Sequence, residues 1–229
     1  MGHAIQTMFG QIAGTYDLLN DLQSFGLHRY WRRRAVLWSR ARHGMAVLDC
    51  ACGTGDFSLA FLRAVGPSGR VEGTDFCEAM VALARKKARL KGATVEFRVE
   101  DAAHLSCPDA TFDRASVAFG IRNMDDPVAV LRELARVVRP GGTVVVVEFG
   151  RPRGFFGTVF QGISKMWMPF WGQLVAGHRS AYEYLPRSVA AFPCRGAFLA
   201  LMDQSQVFSG SRYRTLGFGA VYVYLGTVR

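Results

Sequence analysis

From Met45 onward, short β-rich apolar runs alternate with stretches whose apolar residues fall at helical spacing, a pattern that predicts βαβ units and a largely parallel sheet. Strands are expected over Met45–Cys50, Arg70–Asp75, Thr94–Val99, Phe112–Phe119 and Thr143–Phe149. Between them Asp56–Val65, Glu78–Lys91 and Pro127–Val138 predict helices, and Pro140-Gly141-Gly142 predicts a stop before the fifth strand. Gln206–Tyr213 and Gly219–Thr227 predict two final strands. The expected fold is α/β, a Rossmann-like, doubly wound, mostly parallel sheet of seven strands in one domain over residues 1–229. Residues 1–44 and 151–202 lie outside the alternation, and both are expected to cover a pocket at the strand ends, the first as a helical segment.

Candidate chemistry concentrates in Val47-Leu48-Asp49-Cys50-Ala51-Cys52-Gly53-Thr54-Gly55-Asp56, where an apolar strand runs through glycines into a helix. Gly53 and Gly55 remove Cβ atoms that would obstruct a ligand, and the next helix offers unpaired N–H groups. A dinucleotide site is built similarly, but its third glycine would fall at Ser58, and no lysine follows as in a P-loop. Asp49 and Asp56 beside the turn suit the ammonium and sulfonium of S-adenosylmethionine (SAM) better than a pyrophosphate. Asp75 closes the second strand, where a carboxylate accepts both ribose hydroxyls of a nucleoside. Asp101-Ala102 follows the third strand, with an acceptor for an adenine amino group and room for its ring. Each aspartate alone could be a helix cap. Three strand ends in register favour a SAM site.

These motifs resemble class I SAM-dependent methyltransferases, and within them the quinone C-methyltransferases of menaquinone and ubiquinone biosynthesis. The opening residues Met8-Phe9, Ile12-Ala13, Tyr16-Asp17, Asn20, Ser24, Gly26 and Trp31 are similar to that family's opening pattern. Phe119-Gly120-Ile121-Arg122-Asn123 is the most diagnostic run, joined by Arg136-Val137, Pro140-Gly141-Gly142 and Glu148-Phe149. Tyr182-Glu183-Tyr184-Leu185-Pro186 and Ser188 match its cover segment. The resemblance implies that Thr54, Asp75, Asp101 and Ala102 contact SAM. The next family contact falls on Ala118, which lacks the hydroxyl often found there and so offers only backbone. Leu105-Ser106-Cys107-Pro108 and Gln204–Phe208 also depart from the pattern.

The reaction so implied is attack of a quinol ring carbon on the SAM methyl after an adjacent hydroxyl loses its proton. Arg122 is the candidate for stabilising the phenolate, since a guanidinium about 4 Å away at an effective dielectric near 20 is worth around 4 kcal/mol before desolvation. Arginine stays protonated, so the proton acceptor is expected to be a water held by Asn123 or a carboxylate. His178 is a second candidate base, with a surface histidine the plainer reading. Tyr182 and Tyr184 either contact the ring or pack. Five cysteines without paired spacing predict neither a disulfide framework nor a metal site, and Cys50 and Cys52 read as small buried apolar residues.

Charge adds a partner. The 28 Lys and Arg against 18 Asp and Glu give +10, and Arg29, Arg32, Arg33, Arg34, Arg40 and Arg42 lie in an acid-free stretch from Leu22 to Leu48. Residues 154–175 carry Phe156, Val159, Phe160, Ile163, Trp167, Phe170, Trp171 and Leu174 at helical spacing, a stripe suited to a membrane surface, a lipid tail or a partner chain. Pro169 and interrupting polar residues argue against a membrane span. With no export or lipidation signal read at the start, a cytoplasmic protein is expected, with peripheral contact at the inner face of the membrane and a homodimer left open. Nucleic acid is not expected: the basic arm with Tyr30, Trp31 and Trp38 suits it, but Asn123-Met124-Asp125-Asp126-Pro127 replaces the motif of amino-group methylation. An RNA or other small-molecule methyltransferase and a non-catalytic SAM-binding protein are the alternatives.

Overall fold

A computed structural model describes residues 10, 13–152 and 179–229. Helices α1 (Tyr16–Ser24) and α2 (Leu27–Ser39) precede β1 (Ala46–Cys50). There follow α3 (Asp56–Val65), β2 (Arg70–Asp75), α4 (Glu78–Leu90), β3 (Glu96–Val99) and β4 (Phe112–Ala118). The remainder is α5 (Pro127–Arg136), β5 (Val138–Phe149), α6 (Arg179–Ala191), α7 (Gly196–Ser205), β6 (Phe208–Leu216) and β7 (Val221–Val228). The seven strands lie in the order β3-β2-β1-β4-β5-β7-β6. The first five are parallel, and β7 runs antiparallel to both β5 and β6.

Local chemistry explains most boundaries. Asp126 caps α5 by accepting from Val128 N and Ala129 N at 2.9 Å, with Pro127 in the first turn where its missing N–H costs nothing. The fifth strand corrects an expectation, because Pro140-Gly141-Gly142 does not precede it but lies inside it. The pairing passes from Phe112↔Val138 to Arg114↔Thr143, and the extra residues of this bulge let the strand begin before the glycines. The last two strands begin two residues later than the sequence pattern predicts.

The alternation of β5 divides the core. Val144 and Val146 face one side with Leu131 and Leu134 of α5 and Phe198 and Met202 of α7. Val145 and Val147 face the other with Trp31 and Ala35 of α2 and Phe57 and Phe61 of α3. Burying a side chain of this size is worth about 1.5–3 kcal/mol, so helices on both faces hold the strand ends as a rigid edge. Phe61 is fully buried, and Phe61→Ala would cost roughly 3–5 kcal/mol. The order of strands reverses between β1 and β4, which is where open α/β sheets leave a crevice.

Candidate functional site

The glycine turn after β1 is built around one carboxylate. Asp75, at the end of the neighbouring strand β2, accepts from Gly53 N at 2.8 Å and from Cys77 N at 2.9 Å. Its two oxygens are thereby fixed, and each keeps a lone pair for a further donor. Burial pushes the Asp75 carboxyl above the usual range, and the N–H groups of Cys77 and Gly53 oppose that rise. Gly55 enters α3 at φ 80°, and a Cβ there would lie 2.9 Å from the Phe97 ring. No other residue fits that position without strain. A Cβ on Gly53 would meet nothing closer than Tyr16 at 3.8 Å, so the turn presents open backbone beneath the first helix. An acceptor pair beside open backbone fits the ribose of SAM.

The other acids near the turn are already engaged. Asp49 is 1 % exposed and accepts from the hydroxyls of Ser58 at 2.6 Å and Ser116 at 2.8 Å. Burial pushes its carboxyl up to about 6, against the pull of those two hydroxyls. It therefore lies under the turn rather than at its surface. Burial also opposes ionisation of Asp56, but Arg32 and Lys87 outweigh it and hold the carboxyl below its ordinary value. Thr54 is buried, donating to Asp17 at 2.6 Å and accepting from Lys87 Nζ at 2.9 Å. Lys87 in turn pairs with Asp17 at 2.5 Å and Asp56 at 2.8 Å, so one ammonium ties α1, the turn, α3 and α4 together. Asp101 is exposed, accepts from Ala103 N at 3.0 Å and forms an isolated bridge with His104, while Ala102 packs half-buried on the core.

A second group of side chains gathers after β4 and β5. Ala118 is half-buried, and the chain then turns through Phe119 at φ 57° into a single 3-10 turn over Ile121–Asn123. Gly120 touches the first half of the site: a Cβ on it would lie 2.9 Å from Cβ of Ala51 in the glycine turn. Arg122 Nη1 donates to Glu148 Oε1 at 2.9 Å and to the Phe119 carbonyl. The two paired side chains are only 6 % and 2 % exposed. Burial pushes Glu148 above the usual carboxylate range, with Arg122 opposing. Asn123 is buried, and its Oδ1 accepts from the Tyr184 hydroxyl of α6 at 2.9 Å. Burial raises the Tyr184 phenol above its ordinary value, so it stays a donor at neutral pH.

The structure thus brings Gly53, Gly55 and Asp75 together as one group, and Arg122, Asn123 and Tyr184 as another. Asp101 stands apart on the surface. Tyr182 falls on α6, but its side chain, the 154–175 stripe and His178 lie outside the described residues. Residue-by-residue reading missed Asp17 and Lys87 as a linked pair, and it gave Glu148 no role. An acid following a run of four valines was the available signal for the last. Cys50 and Cys52 are buried, with the Cys50 thiol pushed up to about 12 by burial. Among the described residues no cluster of three metal-ligating side chains occurs, and no helix is long and apolar enough to cross a membrane.

Comparison with known proteins adds relatives. The model of the ubiE/COQ5 methyltransferase family matches residues 2–228. The ubiquinone/menaquinone biosynthesis C-methyltransferase UbiE of Bdellovibrio bacteriovorus is 46 % identical over 226 residues, 98 % of this chain and 96 % of that protein. The demethylmenaquinone methyltransferase of Thermus thermophilus is 44 % identical over 96 % of this chain and 99 % of its own length. Among solved structures, a SAM-dependent methyltransferase from Aquifex aeolicus superposes with a TM-score of 0.64 at 19 % identity, covering 86 % of this chain and 89 % of the other. That likeness establishes the fold as the class I methyltransferase fold.

Proposed function

Because this chain belongs to the ubiE/COQ5 methyltransferase family, we propose that it transfers the methyl group of SAM to a ring carbon of a prenylated quinol, in menaquinone biosynthesis, ubiquinone biosynthesis or both. The observation that carries this reading is the closeness of Gly120 to Ala51, such that a Cβ on residue 120 would lie 2.9 Å from Cβ of Ala51. There the cofactor turn and the Arg122 loop meet at the reversal of strand order, so a donor held by one half faces an acceptor held by the other.

In this assignment Asp75 takes the two ribose hydroxyls, Gly53, Thr54, Gly55 and Ala118 line the cofactor with backbone, and Asp101 with Ala102 receives the adenine. Asp49 acts from beneath the turn, contributing negative potential without touching the ligand. SAM supplies an electrophilic methyl on a positively charged sulfur. The chain's own residues orient the quinol and stabilise its anion. Arg122 faces the phenolate, Asn123 and Tyr184 fix the ring through their shared hydrogen bond, and Tyr182 lies on the same helix. Holding two reactants in line is worth up to roughly 7–11 kcal/mol of the barrier, so positioning outweighs any single charge here. Of the two segments expected to cover this crevice, residues 1–9, 11–12 and 153–178 lie outside the described residues.

Peripheral contact with an anionic membrane belongs to the same reading, since the quinol carries an apolar tail. What supports it is the outer face of α2, where Tyr30 and Leu37 are 52 % and 62 % exposed beside Arg33 and Arg34. Two arginines of that arm are otherwise engaged: Arg29 pairs with Asp21 and Arg32 with Asp56. The membrane term is accordingly smaller than six free charges would give.

Incubation with isotopically labelled SAM and reduced demethylmenaquinol tests the reading. Mass spectrometry should find the label on a quinol ring carbon. A protein that binds SAM and labels no quinol would be the non-catalytic alternative.

A further inference from the structure

The Arg122 guanidinium is held by a carboxylate that sheet register brings to it. Ala118 of β4 pairs with Val147 of β5, so Glu148, one residue on, arrives beside the Phe119–Arg122 loop. Its Oε1 accepts from Arg122 Nη1 at 2.9 Å and from Phe149 N at 2.7 Å, while Oε2 accepts from Arg122 N at 3.4 Å. Glu148 therefore grips both the backbone and the side chain of Arg122. Arg122 Nε donates to Ser188 Oγ of α6 at 3.4 Å, and the guanidinium carbon lies 5.3 Å from the centre of the Phe149 ring. With the Phe119 carbonyl, which also accepts from Nη1, four contacts from β5, α6 and the loop after β4 leave the guanidinium one orientation.

Stability does not explain this arrangement well. A buried ion pair contributes little more than two well-packed apolar side chains of the same volume, because desolvation offsets the attraction. Retaining one in a core of valines makes sense if the cation must stand at a set place beside an anion that forms there. We propose that Glu148 is a positioning residue for methyl transfer, acting through Arg122 by fixing where and in which direction the guanidinium meets the ring oxygen of the quinol. This rests on the assignment of Arg122 to the phenolate.

Glu148→Asp separates positioning from charge balance. The variant keeps the buried anion but withdraws it by one methylene, and the guanidinium follows it by about 1 Å, a displacement that can cost about a hundredfold in rate. With demethylmenaquinol and SAM, kcat should fall by about that factor, while the SAM dissociation constant measured by calorimetry stays within about threefold of wild type. A folded Glu148→Asp variant with wild-type kcat would overturn the proposal. Glu148→Gln, of nearly the same shape, is the second variant, and it should lose turnover with SAM affinity retained. In an Arg122→Met background, adding Glu148→Gln buries a neutral pair and should change kcat by no more than about threefold, because the route through Arg122 is gone. Losses that multiply in that double variant would show that Glu148 acts independently, and the proposal fails. Arg122→Met with undiminished kcat would instead remove the Arg122 assignment itself, and this inference with it.

Discussion

The two halves of the crevice are held together by different means. At the ends of β1 and β2 the turn itself is held through backbone, the N–H groups of Gly53 and Cys77 pointing at one carboxylate and glycine at position 55 admitting the Phe97 ring, while the Lys87 side chain braces it from outside. At the ends of β4 and β5 side chains do it, through the Arg122–Glu148 ion pair and the Asn123–Tyr184 hydrogen bond. A backbone cradle tolerates change in the side chains around it and recognises a constant ligand. A side-chain cluster depends on each member and can be shaped to one acceptor. In the proposed reading the first half takes the cofactor and the second the acceptor, so each can be disturbed without the other.

The sharpest way to break the contrast is Asp75→Ala. The substitution removes the acceptor of two backbone N–H groups together with the proposed ribose contacts, and hydrogen bonds to a charged group are worth about 1.5–3 kcal/mol each. SAM affinity should fall at least about a hundredfold in a variant that remains folded by circular dichroism. Calorimetry showing unchanged affinity would take the cofactor away from this strand end.

Next in size is a pH effect under the turn. The folded value of the Asp49 carboxyl, about 6, lies above its ordinary 3.8, so the folded protein binds this proton more tightly than the unfolded chain does. Below the lower value the group contributes no difference. As pH rises between the two values the wild type loses stability relative to Asp49→Asn, and above the upper value the difference is constant, shifted by about 3 kcal/mol from its value at low pH. Urea unfolding of both proteins from pH 4 to pH 7 measures that gap. A difference that does not vary with pH would mean that Asp49 is ionised throughout.

The smallest effect expected is at Tyr184→Phe, which deletes one hydroxyl from the second half. A single neutral hydrogen bond is worth about 0.5–1.5 kcal/mol, so KM for the quinol or kcat should change by roughly twofold to tenfold. SAM affinity should not move. If it does, α6 serves the cofactor and the two halves are not separate.

The same contrast governs what the sequence reveals. That Asp75 and the glycine turn lie together was readable because a βαβ unit places them at a regular interval: strand, glycines, helix, strand, acid. Ala51 to Asp75 form one continuous stretch of chain. Glu148 was not readable as a partner of Arg122, because the two lie 26 residues apart and meet only through the pairing of β4 with β5. Tyr184 and Asn123 are 61 apart, and nothing local announces their bond. The start of β5 was misplaced for a related reason, since Pro140-Gly141-Gly142 is a breaker by composition and a bulge by context. Acid-free charge in the basic arm was legible, whereas the pairing of Arg29 with Asp21 and of Arg32 with Asp56 needed the packing of α1, α2 and α3.

The antiparallel strand β7 has a consequence for the order in which the molecule is completed. It is the last of the seven strands along the chain, yet it lies between β5 and β6 and pairs with β5 from Thr143↔Thr227 to Phe149↔Val221, with Glu148 opposite Tyr222. During synthesis the glycine turn proposed for the cofactor can close once β1 to β3 have left the ribosome. The strand that carries Glu148 must wait, one edge unpaired, until the final hairpin arrives. On the proposed assignment a nascent chain would thus acquire the half that takes the methyl donor well before the half that takes the acceptor, and a ribosome stalled within β6 would hold a donor site with nowhere to send the methyl group.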